Sequence, residues 1–452
     1  MSERGKFYNK KKSGWLTSRD QSFGRVFSSK SDSFTTLKNE KLSKEGTSSG
    51  SVPKVKQPTI LLKAREQNEE VSESPKRTKS ENENSNISII PSAAKETEGQ
   101  HSQKTKHMKK SEKFLDDGIL FNESIQEFLK DNYDFLVVGV VGGHGVGKST
   151  IMNLLAEKNI TDEIKKSVFK QAPETDEFGE FTKNEDCSKY GEIFKIQGVH
   201  HLETNSNATH GIDLYVSSNR IIYLDCQPFN SISVLEDLVK HESKRTNLVS
   251  EFIPVENSGE IQSLQITAFL MSVCHVLILV QDWFLDSNVI RFLQTAEMLK
   301  PTMSNPEDEL LDHFPNLLLV HNKAQLDDFS PCKFKKMQSI YRELFEKSKM
   351  HIETHMGMGS GHVINYLNPS SCGNPINLFL IPEIDPYSDI IYNGHPPLET
   401  LFKKLKGGIL ATTRIPITHV SFSEKTWLIY CVKVWETVKK SSFFVEYTKL
   451  MP

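Results

Sequence analysis

From about residue 119 the chain alternates between two hydrophobic rhythms. Short apolar runs of strand length recur: FLVVGVV (135–141), GIDLYVSS (211–218), RIIYLD (220–225), HVLILVQD (275–282), NLLLVHN (316–322) and INLFLIP (376–382). Between them lie KSTIMNLLAEK, SVLEDLVKHESK, EIQSLQITAFLMS, SNVIRFLQTAEMLK and CKFKKMQSIYRELFEKSK, which read as helices, the fourth stopped by Pro301. Strands alternating with helices predict an α/β fold with a mostly parallel sheet flanked by helices. GIDLYVSS and RIIYLD, joined near Asn219, predict an antiparallel hairpin at one side of that sheet. ILFNESIQEFLKDN (119–132) reads as a helix with Asn122 as its N-cap. In the closing SEKTWLIYCVKVWETVKKSSFFVEYTKL, Trp427, Leu428, Cys431, Val434 and Trp435 share one helical face, which suits either the domain core or a partner.

Three regions follow from this patterning. Residues 1–118 form a polar, basic tail with no apolar period and are expected to be disordered; an apolar island, Thr59–Leu62, reads as a chance hydrophobic cluster, with a docking segment as the alternative. Residues 119–420 form the α/β domain, with a long, poorly patterned and mobile insertion at about 158–208. Residues 421–452 form the amphipathic C-terminal segment.

Charge sharpens this division. The formal net charge of the chain is -3. Before Phe114 there are roughly 24 Lys and Arg against roughly 14 Asp and Glu, so the remainder is acidic. The tail carries no interleaved aromatics and no anchor helix, so neither direct nucleic-acid binding nor a membrane is expected. The longest apolar run, ITAFLMSVCHVLILV, is short for a membrane span. Six scattered cysteines without a C-x-x-C pair fit a reducing compartment, cytoplasmic with the nucleus as an alternative.

The candidate chemistry lies between the first long strand and its helix. Gly142-x-x-x-x-Gly147-Lys148-Ser149 fits G-x-x-x-x-G-K-[ST], the P-loop pattern, and its context of strand before and helix after is the one the pattern requires. Glycines let successive N–H groups turn inward toward phosphate oxygens, so Gly142, His144, Gly145, Val146, Gly147, Lys148, Ser149 and Thr150 form the candidate cradle. Lys148 would reach the outer phosphates, and Ser149 would ligate Mg²⁺ together with Asp225, at the end of RIIYLD, and Thr209, ahead of the hairpin. Asn322 and Lys323 stand where G proteins carry N-K-x-D, bracing the loop and stacking on a base; the position of the base-reading aspartate is Gln325. The fold expected is therefore a G-domain-like P-loop NTPase. The hydrolytic parts depart from that pattern. Pro228 replaces the glycine whose N–H meets the γ-phosphate, Phe229 follows it, and Gln227 is one position too early to orient water. No catalytic residue is assigned. His200, His201 and His210 cluster in sequence without the carboxylate or cysteine spacing of a metal site.

GVVGGHGVGKSTIMNLLA, IIYLDCQPFNSISVLEDL, QDWF with RFLQTAEMLKP, HNKAQLDDF and the closing EKTWLIYCVKVWETVKK resemble the family of the ninth SMG factor of nonsense-mediated mRNA decay, from about Asp131 to the C-terminus. The resemblance implies a heterodimer with a sister SMG subunit, the eighth factor. It also implies a regulatory role on the PI3-kinase-like SMG-one kinase and a nucleotide held as a structural element. With the N-K-x-D aspartate lost, ATP and GTP or GDP both stay open, ATP preferred. The expected function is a non-catalytic nucleotide-binding subunit; the alternative is an active GTPase or ATPase switch with a catalytic residue supplied by a partner. Ser102–Gln103 has the form such kinases modify, which would make the chain a phosphoprotein.

Overall fold

In the computed structural model the described residues are 106–161, 164–165, 192–204, 206–240, 254–282, 284–303, 311–383, 395–419 and 421–451. Thr59–Leu62, Ser102–Gln103 and residues 166–191 of the predicted insertion lie outside them. Eight strands form one sheet: β1 (Glu112–Asp116), β2 (Ile119–Leu120), β3 (Leu136–Gly142), β4 (Ile212–Val216), β5 (Ile221–Cys226), β6 (Val276–Gln281), β7 (Asn316–Ala324) and β8 (Leu378–Pro382). Their spatial order is β2-β1-β4-β5-β3-β6-β7-β8. The block from β5 through β3, β6 and β7 to β8 is parallel, and its apolar runs are buried on both faces.

The sheet begins earlier than the tail boundary of 118 predicts. β1 pairs antiparallel with β4 and buries Phe114 and Leu115 completely, so the hairpin β4–β5 is internal and not at the edge. EKFLD lacks a local signal because charged residues flank its two apolar positions; the partner strand about a hundred residues on supplies the stability.

Eleven α-helices are described: α1 (Glu123–Gln126), α2 (Lys148–Ala156), α3 (Val199–Glu203), α4 (Ile232–Lys240), α5 (Val255–Val273), α6 (Ser287–Leu299), α7 (Pro331–Leu344), α8 (Pro369–Cys372), α9 (Leu398–Ala411), α10 (Glu424–Lys439) and α11 (Ser442–Leu450). Asn122 makes no side-chain cap, and the predicted helix after it is a single turn that buries Ile125. From β3 the chain moves to β5 on one side and from β5 back to β6 on the other. Right-handed crossovers then put α2 and α5 on opposite faces of the sheet. From Ile261 to Val273 α5 is buried at every position because α4, α6, α10 and α11 surround it. Its hydroxyls on Ser263, Thr267 and Ser272 each bond the carbonyl four residues back, which satisfies them inside the core.

The tryptophan face of α10 packs into this core. Trp427 and Trp435 are buried, their indole N–H groups donating to Val273 O (3.0 Å) and Gly118 O (2.8 Å). Phe114 stacks on Trp427 and Phe269 meets Trp435 edge-on, so β1, α5 and α10 form one aromatic cluster.

Candidate functional site

β3 is where the strand order reverses, so the loop leaving its C-terminal end opens into the crevice that such sheets use for ligands. That loop is the glycine-rich stretch. Gly145 and Gly147 adopt left-handed backbone (φ +73° and +93°), and Gly147 caps α2. A β-carbon at Gly147 would sit 2.5 Å from Asn322 Nδ2, so both backbone and space demand glycine there. Gly147→Ala is expected to cost about 1–2 kcal/mol in urea denaturation; an unchanged midpoint would mean the loop does not hold this conformation.

The predicted residues converge. Ser149 Oγ donates to Asp225 Oδ2 at 2.7 Å, Thr209 Oγ1 donates to the same oxygen at 3.1 Å, and the two hydroxyls are 3.4 Å apart. Asp225 is fully buried, and its second oxygen, Oδ1, has no hydrogen-bond partner. Burial pushes its carboxyl up to about 6, against the lowering effect of the Ser149 and Thr209 hydrogen bonds and of Lys148. Lys148, at the start of α2, is buried as well; its Nζ donates to Gly143 O at 2.7 Å, and desolvation lowers its pKa. A buried cation, an under-satisfied carboxylate and two hydroxyls at a glycine-lined helix start are the donor set that a phosphate with a hard divalent cation takes. The residues present therefore fit such a group: Lys148 and the loop amides toward phosphate, Ser149, Thr209 and Asp225 toward Mg²⁺.

Around this centre the other predicted residues divide. Asn322 Nδ2 donates to Val146 O (2.9 Å) and so braces the loop. Lys323, also left-handed (φ +54°), reaches Asp282 Oδ2 (3.2 Å) and Gly145 O (3.5 Å). Thr150 lies in the first turn of α2, half-buried. His144 lies at the loop tip, largely exposed and 2.7 Å through Nε2 from Gln197 Nε2; partial desolvation of its ring, and then Lys148, lower its pKa. Gln325 opens a short 3-10 turn, Leu326–Phe329, its N–H bonded to Asp328 Oδ2. The His200 and His201 rings meet edge-on, 6.0 Å apart, and His201 Nδ1 accepts from Gly198 N, whereas His210 faces Asp237.

Sequence reading missed one participant, Lys113, and gave another, Gln227, no role beyond standing one position too early to orient water. Gln227 accepts the Gly211 N–H through Oε1 (2.7 Å) and donates its own N–H to Gly211 O (2.8 Å). Lys113, on β1, donates to His210 O (2.8 Å) and pairs with Asp213 (2.7 Å), which stands directly opposite Asp225 in the β4–β5 register. Neither carries a local motif; only the pairing of β1 with β4 brings Lys113 here. On the far side of Pro228, the Phe229 N–H is directed to Gly142 O (3.3 Å), and its ring stacks on Phe292.

The fold is thus an α/β architecture, a mostly parallel mixed sheet flanked by helices, with a polar centre at the point where the strand order reverses. A family described as Smg8_Smg9 matches residues 130–324, which span the glycine-rich loop, Asp225 and Asn322. The chain is 35% identical over 369 residues to the nonsense-mediated mRNA decay factor SMG9 of Salmo salar, covering 76% of this chain and 68% of that one. It is 34% identical over 370 residues to that of Xenopus laevis, covering 76% and 67%. Against protein SMG9 of Drosophila melanogaster it is 28% identical over 319 residues, covering 68% and 54%. The chain belongs to the SMG9 family of nonsense-mediated mRNA decay factors. The resemblance expected from the motifs is thereby borne out at the level of the family. Among the described residues no helix is long and apolar enough to cross a membrane.

Proposed function

We propose that this chain is a nucleotide-holding regulatory subunit in nonsense-mediated mRNA decay, with a degenerate P-loop NTPase fold. It binds ATP, or GTP or GDP, with Mg²⁺ as a structural ligand, and hydrolysis is absent or very slow. It works as a heterodimer with the eighth SMG factor and acts on the PI3-kinase-like SMG-one kinase, in the cytoplasm, with the nucleus as the alternative. One observation carries the nucleotide reading: the holding groups Lys148, Ser149, Thr209 and Asp225 meet at the glycine-rich loop, while the groups that would serve hydrolysis are committed elsewhere. Pro228 has no N–H, the Phe229 N–H bonds Gly142 O, and the Gln227 side chain bonds Gly211 N. In P-loop enzymes catalysis is positioning of water and charge, so loss of those groups removes turnover while leaving binding. When bound, Mg²⁺ would supply charge neutralisation for the phosphates.

Support for the partner and the kinase is narrower. It comes from membership of the family and from the description that pairs the two SMG proteins. The test for the nucleotide uses the full chain, alone and with the eighth factor. Mg²⁺ with ATP, GTP or GDP at ten times its Kd should add about 1.4 kcal/mol of stability. Lys148→Ala should lose that gain, and released phosphate should stay at background. Steady phosphate release abolished by Lys148→Ala would establish the active-switch alternative instead. No stabilisation by any nucleotide would leave an empty scaffold.

A further inference from the structure

Among the groups assembled at the site, Thr209 alone comes from a connecting segment between a helix and a strand edge. In nucleotide switches such a segment is ordered by the γ-phosphate and its Mg²⁺ and is released when the phosphate leaves. Here the segment is held by bonds that involve no ligand. Lys113 Nζ donates to His210 O at 2.8 Å, Gly211 N donates to Gln227 Oε1 at 2.7 Å, and Gln227 N donates to Gly211 O at 2.8 Å. Thr209 Oγ1 is itself bonded to Asp225. Gly211 is left-handed (φ +61°), and a β-carbon there would lie 1.8 Å from Leu115 O, so β1 presses directly on the segment.

We propose that the Thr209 segment is a permanently seated metal arm, with Lys113 and Gln227 as its positioning residues, so that the site takes nucleoside di- and triphosphates alike. The inference rests on the nucleotide reading above. A ligand shifts an equilibrium only by its differential affinity for the two states. With the arm already seated, the γ-phosphate has no ordering to accomplish. Past the end of β5, Pro228 has no N–H to offer it and the Phe229 N–H is already bonded to Gly142 O. Lys113 has a second role: it offsets the Asp213 carboxylate, which would otherwise stand unpaired opposite Asp225. β1 thus completes the site from outside the parallel block.

The test is hydrogen exchange by NMR or mass spectrometry on the full chain, free and with Mg²⁺–ADP or Mg²⁺–ATP. The Gly211 and Gln227 amides should be strongly protected in the free protein and change little with either nucleotide. The amides of Gly142–Ser149 should gain protection with both. Titration should give Kd values for the two nucleotides within about tenfold of each other, and Gln227→Ala should widen that ratio about tenfold in favour of the triphosphate. A Gly211 amide that exchanges freely and is protected only by the triphosphate would overturn the proposal, whether or not the variants fold. If neither nucleotide protects Gly142–Ser149, the comparison is repeated with Mg²⁺–GDP and Mg²⁺–GTP; failure of all four sinks the nucleotide reading and equal binding with it, whereas a Gly211 amide protected in the free protein would still support the seated arm.

Discussion

Glu424→Ala should destabilise the domain by about 3–5 kcal/mol, the scale for removing one partner of a buried ion pair. Glu424 opens α10 and is fully buried. Its carboxylate accepts from Arg220 Nε at 2.7 Å, from Arg220 Nη2, from Lys130 N at 2.9 Å and from Asn132 Nδ2 at 2.9 Å. Its own N–H donates to Asn132 O. One side chain therefore ties the C-terminal helix to the segment before β3 and to the turn of the β4–β5 hairpin. Arg220 sits in that turn with a left-handed backbone and donates also to Phe128 O. A negative charge in the first helical turn is favoured by the helix dipole as well.

Alanine would leave the Arg220 guanidinium, 18% exposed, without its carboxylate and strand the Lys130 amide. Urea denaturation measures the loss. Arg220→Met with Glu424→Leu should be less destabilising than Glu424→Ala alone, because no charge is then stranded. A loss under about 1 kcal/mol for Glu424→Ala would mean that water reaches the pair and that it does not fasten the helix. Glu424 stands in the sequence as an ordinary helix-start acid after Ser423; only its partners, about 200 and 290 residues away, give it this weight.

The same distinction runs through the whole chain. Elements whose cause is local were legible: the apolar runs of β3 and β5–β8, the periodic helices α5–α7, the glycine-rich turn, and Pro301 ending α6. The tryptophan face of α10 was legible as a face, and the structure assigns it to the core. β1 was not, because two apolar residues among charges say nothing until β4 lies beside them. α9 was not read, although Leu398, Leu401, Phe402, Leu405 and Ile409 follow helical spacing; Gly407 and Gly408 near its end lower its intrinsic helix propensity. At the site, residues in the loop motif and at strand ends were found, whereas Lys113 and Gln227 act through a sheet register that no spacing reveals. The motif residues Lys148, Ser149, Thr209 and Asp225 converge.

Acid should weaken the fold well before the carboxylates as a class protonate. His275 and His313 are buried at the junction of β3, β6 and the irregular segment leading into β7, their rings 6.3 Å apart. His275 Nδ1 accepts the Val137 N–H at 3.1 Å, a role that a protonated ring cannot fill, and His313 Nε2 donates to Cys274 O at 2.7 Å. Burial, with His313 and Arg414 nearby, pulls His275 down to about 3; burial foremost, with Lys300 and His351 adding, pulls His313 down to about 4. Unfolded histidines take up protons near pH 6.5. A folded pKa below the unfolded one means that stability is full above about 6.5 and falls as the pH drops toward the folded value. Between pH 7 and 5 each imidazole should cost about 2 kcal/mol. Asp225 works in the opposite sense: its folded pKa of about 6 lies above the unfolded value, so protonation on acidification returns about 1 kcal/mol. The expected net loss is about 2–3 kcal/mol, read from urea denaturation at pH 7, 6 and 5. Occupation of the site by Mg²⁺ would hold Asp225 ionised and steepen the fall. A stability constant from pH 7 to 5 in the free protein would show that one or both imidazoles are hydrated or already paired with a negative charge, contrary to their burial here.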